Sequence, residues 1–368
     1  LFVIMLYNRY MSKNLLAWAG LLVIATVIAY LALYTNLFDK PNTAPEGPVP
    51  YGFFDGSPSF ANSLTAKGQL AAVGSLTSRS EAPPADLSGA KDNLADALVN
   101  IICASKNGGV KSISGSGVVI SSDGVIITNA HIAQLFLLEN HPTKGNVVCV
   151  VRTGAPARTA YFAELIYISK PWVEANSTSL VVANPRGNGK NDIALLAITR
   201  SATGAALPTE FAHVPFGVST PKIGDAVAIG SYGAQSLTTA QIKDSLMPTL
   251  VLGSVRDVYT FGRTSVDLLS LGGSEAAQHG SSGGGIVNAR GEMVALITTS
   301  TTGGTPSERD LRAVTAGHVR ESFEEDMGIT LNEYLASYRS TDLLAEIAAR
   351  NEELRTTLTE VLGGVAMR

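Results

Sequence analysis

The sequence predicts an all-β core, an antiparallel barrel or sandwich, preceded by an apolar N-terminal segment and followed by helices. Three observations carry that expectation. Short apolar, β-branched runs recur between residues 94 and 305, separated by Gly, Asp, Asn and Ser turns. Glycine is abundant, at 36 of 368 residues, as tight turns between short strands demand. No segment in that region resembles the crossover helix that a parallel α/β sheet needs.

The first element is a charge-free run of 20 residues, Leu15–Tyr34. As a helix rising about 1.5 Å per residue it would span roughly 30 Å, the hydrocarbon thickness of a bilayer. Trp18, Tyr30 and Tyr34 lie near its ends, where amphipathic rings sit well. Arg9 and Lys13 precede it, which places residues 1–14 in the cytoplasm and the rest of the chain outside. A cleaved signal peptide fits less well, because its apolar core is usually shorter and is followed by small residues. The expectation is a single-pass membrane anchor over residues 15–37, with the folded part on the extracytoplasmic side.

Residues 38–93 are rich in Pro, Ala, Gly and Ser and read as a tether, with some order expected around Tyr51–Phe54. The folded domain is expected over 94–327. Its clearest hairpin pairs Gly117–Ile120 with Val125–Thr128 across Ser121-Ser122-Asp123-Gly124. Further strands are predicted at Val147–Arg152, Tyr161–Ile168, Ile193–Ile198, Ala226–Ile229, Thr249–Val255, Gly285–Asn288 and Met293–Thr298. From Ser307 a capping-box-like start predicts a helix to about Met327. Residues 328–368 continue in helical style, through Leu331–Ser337 and Thr341–Leu362. In the last segment Leu343, Ile347, Leu354, Leu358 and Val361 share a face, which either packs on its own domain or supports self-association.

A net charge of −4 without a Lys/Arg cluster leaves nucleic-acid binding no electrostatic footprint. The two cysteines, Cys103 and Cys149, lack zinc-ligand spacing. Both sit in apolar strand-like stretches, as two buried thiols or as one disulfide between neighbouring strands.

Acyl transfer at neutral pH needs a hydroxyl nucleophile, a base, a group that fixes the base, and donors for the oxyanion. The sequence offers one candidate for each. His131 ends a predicted strand in Thr128-Asn129-Ala130-His131. Asp192 opens an apolar run in Asn191-Asp192-Ile193-Ala194-Leu195. Ser282 lies in Gly280-Ser281-Ser282-Gly283-Gly284, flanked by strand-like segments, so the loop is folded rather than a linker.

With Gly115-Ser116-Gly117 and Ile223-Gly224-Asp225-Ala226-Val227-Ala228-Ile229-Gly230, these motifs resemble the chymotrypsin/trypsin-like serine protease family over about residues 96–325. The nearest flavour is that of bacterial trypsin-like and HtrA-type members, without a PDZ module. The resemblance implies two antiparallel six-stranded β-barrels with the site between them. It implies Ser282 as nucleophile, His131 as base and Asp192 as its orienter, with the Gly280 and Ser282 amides as oxyanion hole. It also places substrate-binding residues near Ala276, His279, Thr298, Thr299 and Ser300. Ser281 stands where digestive members carry the Asp used in zymogen activation, and no Asp lies at the pocket base. A small or medium apolar side chain is therefore the expected preference. His131 and Asp192 are farther apart than is usual for the family, so an insertion is expected between Asn140 and Asn191.

The reading that follows is a serine endopeptidase acting on proteins or peptides outside the membrane, with no metal or organic cofactor required. An esterase using the same residues and a catalytically silent peptide-binding protein are the rivals.

Overall fold

The computed structural model describes residues 54–55, 86–106, 110–182, 185, 187–262, 265–301 and 304–366. The expected anchor at Leu15–Tyr34 and nearly all of the tether lie outside the described residues. Among the described residues no helix is long and apolar enough to cross a membrane.

Six strands close a first barrel. They are β2 (Leu98–Ser105), β3 (Ile113–Val119), β4 (Val125–Thr128), β5 (Val147–Thr153), β6 (Arg158–Ile168) and β7 (Ala194–Ser201). They pair antiparallel in the order β2-β3-β4-β7-β6-β5, and β5 returns to β2. The β3–β4 hairpin turns where Asp-Gly predicts it, with Gly124 at a φ of +82° that a side chain would resist. Ile101, Ile126 and Leu196 share one face of the barrel wall at full burial. Cys103 and Cys149 stand directly opposite each other on β2 and β5 and are joined by a disulfide.

The second half departs from the expectation of another closed six-stranded barrel. Its strands are β8 (Ala226–Ser231), β9 (Thr249–Ser254), β10 (Asp257–Tyr259), β11 (Leu268–Gly273), β12 (Gly285–Val287), β13 (Met293–Ser300) and β14 (Asp310–Thr315). They form an open sheet in the order β10-β11-β14-β13-β12-β8-β9. Its own core gathers Ile229, Leu269, Ile286, Ala295, Ile297 and Leu311. β12 is only three residues long, so its pairing with β13 stops at Leu296 and leaves the end of β13 unpaired on that side. There β1 (Phe54–Asp55), a two-residue piece of the tether, runs parallel to Thr299 and Ser300.

The helix expected from Ser307 is a strand first. The capping box seen there joins Thr305 and Glu308, two residues before the expected start, and closes only the 3-10 turn Pro306–Glu308. The chain then enters β14, where Leu311 and Ala313 face the core and Asp310 and Arg312 pair with each other at 2.9 Å.

Seven helices dress the sheets among the described residues. α1 (Ser88–Ala97) precedes the barrel and seats Leu94 against Gly230, where a Cβ would collide with it, and close to Gly285. α2 (Ala130–Ala133) follows β4, and α3 (Lys170–Asn176) and α4 (Thr239–Ser245) fill connections. α3 and the 3-10 turn Ser177–Leu180 lie in the span where an insertion is expected. α5 (Ala316–Met327), α6 (Leu331–Ser337) and α7 (Thr341–Ala366) end the fold. α7 lays Leu354 and Leu358 on its own domain at full burial. Its Asn351 donates to the Leu165 carbonyl at 2.9 Å. Arg350 pairs with Asp326, which also accepts from the Tyr167 hydroxyl at 3.0 Å. Its apolar face thus packs on its own domain.

Candidate active site

β4 delivers the chain into α2 through Asn129, whose extended backbone starts the helix. His131 follows in the first turn, with only 2% of its surface exposed. Asp192 approaches from the loop before β7 and is wholly buried. That loop turns through Asn191 at φ +59°, a conformation asparagine tolerates better than most residues. Ser322 of α5 holds the Asn191 side chain at 2.8 Å.

The two groups meet at two points. The His131 amide donates to Asp192 Oδ1 at 2.9 Å, and Nδ1 lies 2.7 Å from Oδ2. A carboxylate only accepts, so Nδ1 carries the hydrogen and the lone pair sits on Nε2. Neighbours fix the pair in turn. Asn129 Nδ2 donates to the Asp192 carbonyl at 2.9 Å and to Thr298 Oγ1 at 3.2 Å. Thr298 Oγ1 in turn reaches Asp192 Oδ2 at 3.5 Å.

The glycine-rich loop belongs to the second sheet but is fastened to the first barrel. Ser116 on β3 makes the fastening. Its amide donates to the Ser282 carbonyl at 2.7 Å and its hydroxyl to the Gly280 carbonyl at 2.8 Å. That hydroxyl also accepts from the Tyr232 amide at 2.8 Å. Thr128 ties the Ser116 carbonyl back to β4 at 2.7 Å. Gly283, at φ +86°, passes so close that a Cβ there would lie 2.0 Å from the Ser116 oxygen. The Gly283 amide donates to the Ile297 carbonyl at 2.9 Å, one residue before Thr298. A continuous set of bonds thus runs from Ser282 through Thr298 to Asp192 and His131.

Two peptide groups in this loop have a defined orientation. The His279 carbonyl accepts from the Ala234 amide at 2.7 Å, and the Ser281 carbonyl accepts from the Gly284 amide at 2.9 Å. In a trans peptide the N–H points away from the C=O. The Gly280 and Ser282 amides therefore point to the opposite side, and neither donates a hydrogen bond among the described residues. The Ser282 hydroxyl likewise has no hydrogen-bond partner among them. Burying such groups without partners costs free energy, which a reacting group entering the site would recover.

Residues 115–296 match the family model of the trypsin-like peptidase domain. The chain carries a trypsin-like peptidase domain. No curated protein matches the sequence closely enough to count as a relative. The folded peptidase domain extends past both ends of the match, since β2 closes the barrel before residue 115 and β14 extends the sheet after residue 296.

The remaining expected residues lie on β13 and on the segment leading into the glycine-rich loop. Thr298 is fully buried and its hydroxyl faces Asp192 and Asn129, so it positions the carboxylate. Thr299 and Ser300 continue β13 and carry the pairing with β1. Ala276 is fully buried in the apolar core of the second sheet. His279 is half-buried, and its carbonyl orients the loop as described. Ser281 is buried, and its hydroxyl accepts from Ser231 at 3.0 Å. Three contributors were present in the motifs without a role: Ser116, Thr128 and Asn129. For Ser116 and Thr128 the signal was a polar residue buried within a strand, and Asn129 stands at the N-cap of α2.

Proposed function

We propose that the chain is a serine endopeptidase that hydrolyses peptide bonds through an acyl-enzyme. Ser282 Oγ attacks the scissile carbonyl. His131 Nε2 takes the hydroxyl proton and later returns it to the leaving amine. Asp192 keeps Nδ1 protonated and holds the ring, and it steadies the imidazolium as it forms. The Gly280 and Ser282 amides receive the oxyanion of the tetrahedral intermediate.

The observation that carries this reading is the contrast within one bonded unit. His131 and Asp192 are locked at 2.7 Å, while the hydroxyl and two amides of the adjoining loop have no bonded partner among the described residues. An acyl-transfer site needs that combination of a fixed base and unengaged reaction groups. The Leu15–Tyr34 run supports placing the substrate, a protein or peptide, outside the cytoplasmic membrane.

The test is digestion of casein and of a peptide library by the full chain, beside the Ser282→Ala and His131→Ala variants. Amide hydrolysis by the wild type alone is expected. Cleavage that persists in both variants, or hydrolysis of esters with no hydrolysis of amides, would remove the peptidase reading.

A further inference from the structure

A second cluster of chemistry-bearing side chains lies outside the machinery described above. Asp267 opens the way into β11, and His318 and Glu321 sit three residues apart on α5, which brings them to one face. One donor atom from each of the three lies within 4.8 Å of the others. Asp267 and His318 are more than nine-tenths buried, and Glu321 is exposed.

The Asp267 carboxylate is used on one side only. Oδ2 accepts from the Thr260 hydroxyl at 3.0 Å and the Phe261 amide at 2.7 Å. Oδ1 is buried with no hydrogen-bond partner, and so is His318 Nε2, among the described residues. Oδ1 faces His318 Nδ1 at 3.6 Å, which is too long for a hydrogen bond. It suits two donors sharing one ion. With metal–ligand bonds of about 2.1 Å, donors 3.6 Å apart subtend about 120° at the metal, near the tetrahedral range.

We propose that Asp267, His318 and Glu321 form a binding site for a divalent first-row transition metal, with zinc as the best fit. One imidazole and two carboxylates make a mixed nitrogen and oxygen set, which suits zinc better than magnesium or calcium. Water would complete four-coordination. The site is structural in effect. The Asp267 carbonyl already accepts from the amide of Thr315, which caps α5. A shared ion would add a further tie between the start of β11 and the first turns of that helix, beside the Thr315 hydroxyl's bond to the Val266 carbonyl at 2.7 Å. The proposal does not depend on the peptidase reading.

The experiment is calorimetric titration of the chelator-treated full chain with zinc chloride, repeated on Glu321→Gln and His318→Ala. Cobalt(II) absorbance in the visible range supplies a second readout. The expected result is one zinc per chain, weakened by at least about tenfold in Glu321→Gln and about a hundredfold in His318→Ala, with loss of a tetrahedral cobalt band. Glu321 is exposed, so its variant reports on the site even if His318→Ala fails to fold. Absence of zinc binding to the wild type, or equal affinity in wild type and Glu321→Gln, overturns the proposal.

Discussion

Glu139 follows the 3-10 turn Gln134–Leu138 behind His131 and accepts a hydrogen bond from the Cys149 amide at 3.2 Å. Burial raises its carboxyl from 4.5 to about 7, outweighing the Cys149 bond and the nearby Arg200, while Glu164 adds to the rise. Between those two values the folded chain holds a proton that the unfolded chain has released. Stability is therefore fully present below pH 4.5 and drains as pH rises through 7. Each pH unit is worth about 1.4 kcal/mol, so the interval from 4.5 to 7 sets a ceiling of about 3 kcal/mol. Water reaching the partly exposed carboxyl reduces the effect to about 1–2 kcal/mol. Glu139→Gln keeps an acceptor for the Cys149 amide and removes the charge. Urea unfolding at pH 4.5, 6 and 8 is the assay, with a constant slope confirming a common mechanism. The variant is expected to match the wild type at pH 4.5 and exceed it by about 1–2 kcal/mol at pH 8. A variant that is weaker at pH 8, or a difference that does not change with pH, would refute the reasoning.

Other expectations follow from the same contacts. Reducing the Cys103–Cys149 bond opens a loop of sequence separation 46 and should cost about 4 kcal/mol in the chain-entropy treatment, read as a shift in urea midpoint under reductant. Gly283→Ala would place a methyl group 2.0 Å from the Ser116 carbonyl and 2.4 Å from Thr128 Oγ1. A loop moved by about 1 Å should lose roughly two orders of magnitude in peptide turnover. Asp192→Asn should leave the fold intact and lower kcat on the order of 10⁴-fold, the size typical of losing this carboxylate in such a triad, because the amide favours the wrong tautomer of His131. A kcat within tenfold of wild type would sink that role.

Much of the first barrel was legible from residue pattern. The β3–β4 hairpin was visible because Asp123-Gly124 meets the backbone demand of a tight turn between two apolar runs. The second sheet was harder to read. β14 carries alternating Asp310, Leu311, Arg312 and Ala313, a period of two, but the capping-like signal from Ser307 masked it. Local side-chain bonds can start a short turn as readily as a long helix, and tertiary pairing decides which follows. α1 was missed because its residues are mostly polar or small, so only Leu94 and its flanking alanines mark the buried face.

In the candidate site, His131, Asp192 and Ser282 stood out because reactive side chains sat at strand ends and in a glycine loop. Their supports were less visible. Ser116, Asn129 and Thr298 act through contacts 12 to 169 residues away in sequence, which no local pattern encodes. Thr298 was expected near substrate, and its hydroxyl lies 3.5 Å from Asp192 Oδ2.

The central claim is that Ser282 is a nucleophile activated in place by the bonded His131–Asp192 pair. Its most direct measurement is intact-protein mass spectrometry of the full chain after treatment with a fluorophosphonate, beside Ser282→Ala. The account predicts a single covalent adduct on the wild type, mapped to Ser282, and none on the variant. Equal labelling of both proteins, or an adduct mapped to another residue, would contradict it.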